Sequence, residues 1–371
     1  MLRCICLPQR YSASNFGISE IVILTVLLKK TFTCFFIISA LVIFGGCSSG
    51  GHSQRVIGSP EGMIGYLESE AIPSLRSAEL WPWRSSPGIK ITTDHYQVYT
   101  TLFDPLVLRE VPGFVESLYV EYCSQLPSGI DMSVTVPLKI YLFSDRGQWS
   151  SFTDSFTGTD APLYSGLKAG AYCARGACVA YFIGRDRTFM VLAHEGWHQF
   201  SGRYFACRPP SWLDEAAALS FECHHSVKGG YKFNPSLNAN RLSGLRKAID
   251  SGRMIPLNDL LELDPGRVIR EYEEGTVRIY YGQLYALMRF LKQDYQAAWK
   301  KMMYDGFAGR WPLDENDRVM SNNRNLLRTV AWNRKVGRSL FISYVDSDID
   351  EFEVLYNEYC RQITRHLEQR Q

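Results

Sequence analysis

His194-Glu195-Gly196-Trp197-His198 sets two imidazoles four residues apart, with a carboxylate next to the first. On a helix these rings lie one turn apart on one face and can grip a single metal ion together. Zinc favours such nitrogen ligands at about 2.0–2.1 Å. Glu195 then leans toward a water on the metal, and its carboxylate takes a proton as the water attacks a carbonyl. Met190-Val191-Leu192-Ala193 leads into the pattern, so the helix is buried on entry. Buried polar rings need partners, and a metal supplies one. Gly196 costs a helix about 1 kcal/mol relative to Ala. A purely structural helix has little reason to combine it with two histidines on one face.

Catalytic zinc usually keeps three protein ligands and a water. Downstream, Pro209-Pro210-Ser211 is a helix-start signal with Ser211 as N-cap, and Asp214 and Glu215 fall in the first turn. The helix dipole favours acidic residues there whatever else they do. His194-Glu195-x-x-His198 followed by Trp212-Leu213-Asp214-Glu215-Ala216-Ala217 resembles the gluzincin metallopeptidases, with the peptidase MA-like family as the nearest match. The resemblance implies that Glu215 is the third zinc ligand. It covers roughly residues 90 to 365, but only these two motifs are specific. One position departs: where thermolysin-like members carry an Asp that holds a ligand histidine, this chain has Leu219. Asp214, Glu222 or a backbone carbonyl is left for that duty. Glu222, on the same expected helix face as Glu215, is also the rival third ligand. His224 and His225 are further candidate ligands, although a polar helix end explains them as well.

The resemblance also implies a Tyr or His on a later helix that steadies the developing oxyanion. Tyr280, Tyr281 and Tyr285 are the candidates. Positions 281, 284, 285, 288 and 291 form one apolar stripe, which turns Tyr281 and Tyr285 inward and Tyr280 elsewhere. Tyr281 falls where the resemblance implies a catalytic tyrosine; an aromatic on such a stripe equally serves a core. Relatives bind an extended peptide on a strand just upstream of the zinc helix, here part of residues 166–182.

The elements that must position these groups follow from periodicity. Residues 88–101 read as one or two strands, 114–126 as a helix, 136–145 as a buried strand, and RGQWSSFTDSF as a helix or turn. Residues 166–182 read as a hairpin with Arg175-Gly176 near its tip. The two motif helices come next. Helices are then expected over 239–250, 256–263, 275–295, 295–304 and 348–367, the last with Phe352, Leu355, Tyr359 and Ile363 on one face. Residues 61–85 resist placement. The expected fold is α+β: a small mixed sheet against zincin-type helices over 86–230, followed by a helical part over 231–371.

At 371 residues and 46% hydrophobic composition, the chain is that of a globular protein with an ample core. A formal charge of only +2 argues against a nucleic-acid partner. The first 47 residues form a leader. Lys29-Lys30, an apolar run over 31–46 and then Cys47 give a basic, apolar and small-residue order. That run is short for a spanning helix, which needs about 20 apolar residues. Phe44-Gly45-Gly46-Cys47 resembles a bacterial lipobox, with Phe44 in place of the usual Leu. It implies a signal peptide over 28–46, lipidation of Cys47, and a membrane-anchored protein of the cell envelope. The apolar run ahead of Lys29 suggests that translation starts near Leu28. Residues 48–85 make a tether and N-terminal extension, Gly- and Ser-rich at first. Cys123, Cys173, Cys178, Cys207, Cys223 and Cys360 remain, an even set that in an oxidising compartment implies up to three disulfides. Cys173 with Cys178, and Cys207 with Cys223, are the favoured pairs. The reading that emerges is a zinc peptidase acting on peptide or protein substrates. Its alternative is an inactive binding or scaffolding lipoprotein on the same fold.

Overall fold

The computed structural model describes residues 58–126, 130, 132, 136–167, 170–322 and 326–365. The leader, Cys47 and the tether up to residue 57 lie outside them. The described residues belong to one compact unit.

Among the described residues eight strands form: β1 Ser77–Leu80, β2 Ile89–Thr92, β3 Tyr96–Thr100, β4 Leu138–Phe143, β5 Ala171–Ala174, β6 Ala177–Tyr181, β7 His224–Val227 and β8 Gly230–Phe233. The first six make one mixed sheet in the order β1-β2-β3-β4-β6-β5. Its centre is parallel, with β4 between β3 and β6, and antiparallel pairs lie outside it. Strand β5 is therefore an edge. Arg175 and Gly176 join it to β6 with φ of 49° and 72°, the paired left-handed geometry of a tight hairpin turn. The expected hairpin is there, with its tip where the sequence placed it.

The helices are α1 Pro60–Ser69, α2 Pro105–Leu108, α3 Val111–Cys123, α4 Arg146–Thr157, α5 Ala161–Ser165, α6 Arg185–Tyr204 and α7 Ser211–Ala218. Beyond β8 come α8 Ala239–Asp250, α9 Leu257–Leu260, α10 Pro265–Glu271, α11 Glu274–Asp294, α12 Gln296–Phe307, α13 Glu315–Asn322, α14 Leu326–Tyr344 and α15 Ile349–Arg365. The architecture is α+β with a helical C-terminal part, as the sequence implies. Among the described residues no helix is long and apolar enough to cross a membrane.

Alternation along the strands decides what covers each sheet face. Ile140, Leu142, Cys178 and Ala180 join the main core with Phe189, Leu192 and Trp197 of α6. Phe143 and Val179 point the other way and pack with Trp149 and Phe152 of α4. The main core continues without a break into α11, α12, α14 and α15.

Several expectations change. Residues 60–69 and 77–80, unplaced from sequence, are α1 and β1. His224 and His225 lie on strand β7, not at a helix end. On α15 the buried stripe runs through Phe352, Tyr356, Tyr359 and Cys360, while Leu355 is 46% exposed. Tyr356 wins the inward position because its hydroxyl donates to the Gln283 carbonyl on α11 at 2.7 Å. Tyr280 also faces inward and is fully buried, because α11 is packed on several sides by α7, α8, α12 and α15. A one-stripe reading fails for a helix so enclosed. Among the described residues no disulfide is formed. Cys173 and Cys178 do stand directly opposite each other across the hairpin.

Candidate metal centre

Helix α6 runs from an entry at Gly184, φ 94°. Its first residue, Arg185, is clamped to Glu110 by Nε at 2.9 Å and Nη2 at 2.6 Å. Gly196 sits where α6 meets α3. A Cβ there would stand 2.6 Å from the Tyr122 hydroxyl, which donates to the Ala193 carbonyl at 2.6 Å. This overturns the reading of Gly196 as a sign of the site: close packing of a buried tyrosine requires it. Ser211 is not an N-cap either. It is the first helical residue of α7, and Asn333 of α14 supplies the cap. Asn333 Oδ1 accepts from the Ser211 N–H at 2.9 Å, and its Nδ2 donates to Ser211 Oγ at 2.8 Å.

The two helices bring His194, His198 and Glu215 together, with one ligand-type atom from each within 4.8 Å of the others. Glu215 Oε2 is 3.2 Å from His194 Nε2, and Oε1 is 3.7 Å from His198 Nε2. The opposite ring nitrogens are taken by other carboxylates. His194 Nδ1 meets Glu222 Oε1 at 3.1 Å, and His198 Nδ1 meets Asp214 Oδ2 at 3.0 Å. An Nδ1–H donated to a carboxylate leaves the Nε2 lone pair free for a metal. Asp214 is itself fixed, accepting from the Trp197 indole and from Ser201 Oγ, both at 2.9 Å. Glu222 accepts from Asn238 Nδ2 at 2.6 Å and from Arg241 Nε and Nη2 at 2.9 and 2.5 Å. The structure thus separates the two rivals: Glu215 faces the Nε2 side of both rings, and Glu222 stands behind one of them. Of the acceptors the sequence left open, Asp214 meets His198 and Glu222 meets His194.

Glu195 is on the strand side of α6 and accepts the backbone N–H of Cys173. Starting from the Tyr181 N–H to Gly170 carbonyl bond, alternation along the hairpin turns the Cys173 N–H toward the open edge. On the other side the Tyr281 ring centroid is 6.2 Å from that of His194. Tyr285 has its hydroxyl committed to the Pro235 carbonyl at 2.7 Å, and the Tyr280 hydroxyl is buried without a partner. His224 is boxed among Phe114, Phe189, Tyr231 and Phe233 and does not join the cluster.

Charge explains why these groups hold together. Burial alone would push His194 down, but Glu215 and Glu222 outweigh it and lift it to about 9. His198 goes the same way under Asp214 and Glu215. Burial opposes ionisation of Glu215 as well, yet the two imidazoles hold it well below the usual carboxylate range. Glu195 behaves differently: burial pushes it up, and the nearby rings only partly offset that. Glu195, Asp214, Glu215 and Glu222 gather around the two rings, and Arg241 pairs with Glu222. Two imidazoles and one carboxylate converging on one point form a donor set that could hold a metal ion such as zinc, once the rings give up their protons.

Sequence reasoning missed Arg241 and Asn238. Neither belongs to a motif; Arg241 follows Asn238 by one helical turn, in the ordinary wording of an N-capped helix start. No family model, no curated protein and no solved structure matches this chain.

Proposed function

We propose that this protein is a zinc-dependent peptidase of the gluzincin type, with His194, His198 and Glu215 holding the metal. The observation that carries the reading is the convergence of those three donors while each imidazole is pinned from behind by its own carboxylate. When bound, zinc supplies Lewis acidity toward a peptide carbonyl and toward water.

The chain's own residues do the rest. Asp214 and Glu222 fix the rings so that both Nε2 atoms face inward. Glu195, half-buried and raised, takes the proton of the attacking water and passes it to the leaving amine. Tyr281 stands at the far side of His194, where its hydroxyl donates to the oxygen on which charge develops. The edge of β5 offers main-chain groups to an extended substrate, so the substrate is a peptide segment in strand conformation. Lipidation at Cys47 places this activity at the cell envelope.

The test is metal content and cleavage measured together. The wild-type chain should carry about one zinc and cleave members of a peptide library. Glu195→Gln should keep the zinc and lose about 10²–10⁴-fold in rate, the usual worth of a positioned general base. A zinc-loaded wild type that cleaves nothing moves the assignment to the binding or scaffolding alternative.

A further inference from the structure

Arg241 of α8 meets the site twice. The edge of its guanidinium covers both oxygens of Glu222, and its face lies 4.8 Å over the Tyr281 ring. It thereby touches both the carboxylate behind His194 and the tyrosine in front of it. The contact depends on an unusually close crossing of α8 and α11. A Cβ at Gly282 would lie 2.6 Å from the Leu245 nitrogen and 3.0 Å from the Arg241 carbonyl, and one at Gly244 would lie 2.5 Å from the Arg278 carbonyl. Glycine on both helices lets the backbones approach until the guanidinium can stack.

Asn238 already satisfies one oxygen of Glu222. Arg241 adds a planar fork that spans both, which fixes the plane of the carboxylate and so the lone pair offered to His194 Nδ1. The Glu222 side chain is 2% exposed and that of Arg241 23%, so water is a weak competitor for these bonds. Lysine offers neither the fork nor the flat face.

We propose that Arg241 is a positioning residue of the metal centre: through Glu222 it sets the orientation of the His194 ring, and through its face it holds the Tyr281 side chain beside that ring. The inference rests on reading His194 as a metal ligand and Tyr281 as a residue facing the reacting carbonyl.

The test uses the full chain as wild type, Arg241→Lys, Glu222→Gln and the double variant. Zinc affinity is read by chelator competition, ligand geometry by the visible bands of the cobalt-loaded protein, and folding by thermal melting. Arg241→Lys should weaken zinc by about 10- to 100-fold, the usual effect of losing a group that orients a ligand, and should alter the cobalt bands. The double variant should bind no more weakly than Glu222→Gln alone, because the arginine acts through that glutamate. Arg241→Lys that binds zinc as the wild type does, with unchanged bands, overturns the inference, and so do losses that multiply in the double variant. Should Arg241→Lys fail to fold, Arg241→Gln gives the same contrasting outcomes. A wild type that takes up no zinc defeats the metal-centre reading and this inference together. A zinc-binding wild type with an indifferent Arg241 defeats the inference alone.

Discussion

Asp214 shows how much one residue of this site carries. It holds His198, the Trp197 indole and Ser201 at once. Asp214→Ala should weaken zinc by about 10- to 100-fold and, by stranding a buried indole N–H, destabilise the fold by about 1–3 kcal/mol. Chelator competition and denaturant unfolding check the two effects separately. The neighbouring tyrosines make a contrasting pair. Tyr280→Phe removes a buried hydroxyl that has no partner, so stability should hold or rise, by up to about 1 kcal/mol. Tyr281→Phe should leave stability and zinc unchanged and lower kcat by about 10²-fold, the scale of one oxyanion donor. A loss of activity in Tyr280→Phe with none in Tyr281→Phe would reverse the assignment.

Helix α6 couples chemistry to packing along its length. Its histidine face looks toward α7 while Gly196 meets α3, and the two faces impose different demands within one turn. Gly196→Ala removes a helix-weakening glycine, a change worth about 1 kcal/mol in its favour by propensity. The new Cβ, however, meets a buried and hydrogen-bonded tyrosine at 2.6 Å. Overpacking of that kind costs about 1–3 kcal/mol, so the net effect should be destabilising, and the melting temperature should fall. A variant as stable as the wild type would show that Tyr122 has room to move. Much of this scale is readable in the sequence. The alternation over 88–101, the buried strand within 136–145, the Arg-Gly hairpin and the two motif helices all announce themselves, because their patterns come from local contacts. The enclosed helix α11 does not, since its inward face is wherever its neighbours happen to be.

Over the whole molecule, Lys292 joins parts of the chain that are far apart in sequence. From α11 its Nζ donates to Gln125 after α3 at 2.8 Å and to Ser220 after α7 at 3.0 Å. Burial pushes it down to about 8, with Glu121 only partly restoring it. In the unfolded chain its pKa returns to about 10.4. Between those values the unfolded state binds more protons, so this residue makes stability rise with pH from about 8 to about 10.5. Below that window the half-buried ammonium is a liability of at most about 3 kcal/mol. Lys292→Met should therefore lose the rising component and be the more stable protein near pH 7. Wild-type and variant unfolding free energies, compared at pH 7 and pH 10, decide it. Equal pH slopes in the two proteins would mean that Lys292 is not depressed.

The sequence by itself determined the reactive pattern. His194, Glu195 and His198 share a helix turn because four residues span one turn, whereas Glu215 was nominated only by resemblance, with Glu222 left as its rival. It also determined the α+β class, since strand and helix periods are local properties. Tertiary structure alone decided which carboxylate faces the rings and which stand behind them. It decided that Arg241 reaches Glu222, that Asn333 caps α7 from more than a hundred residues away, and that Gly196 answers to Tyr122. Those choices depend on distances between segments that the chain order does not encode, set when a single core closes around all of them.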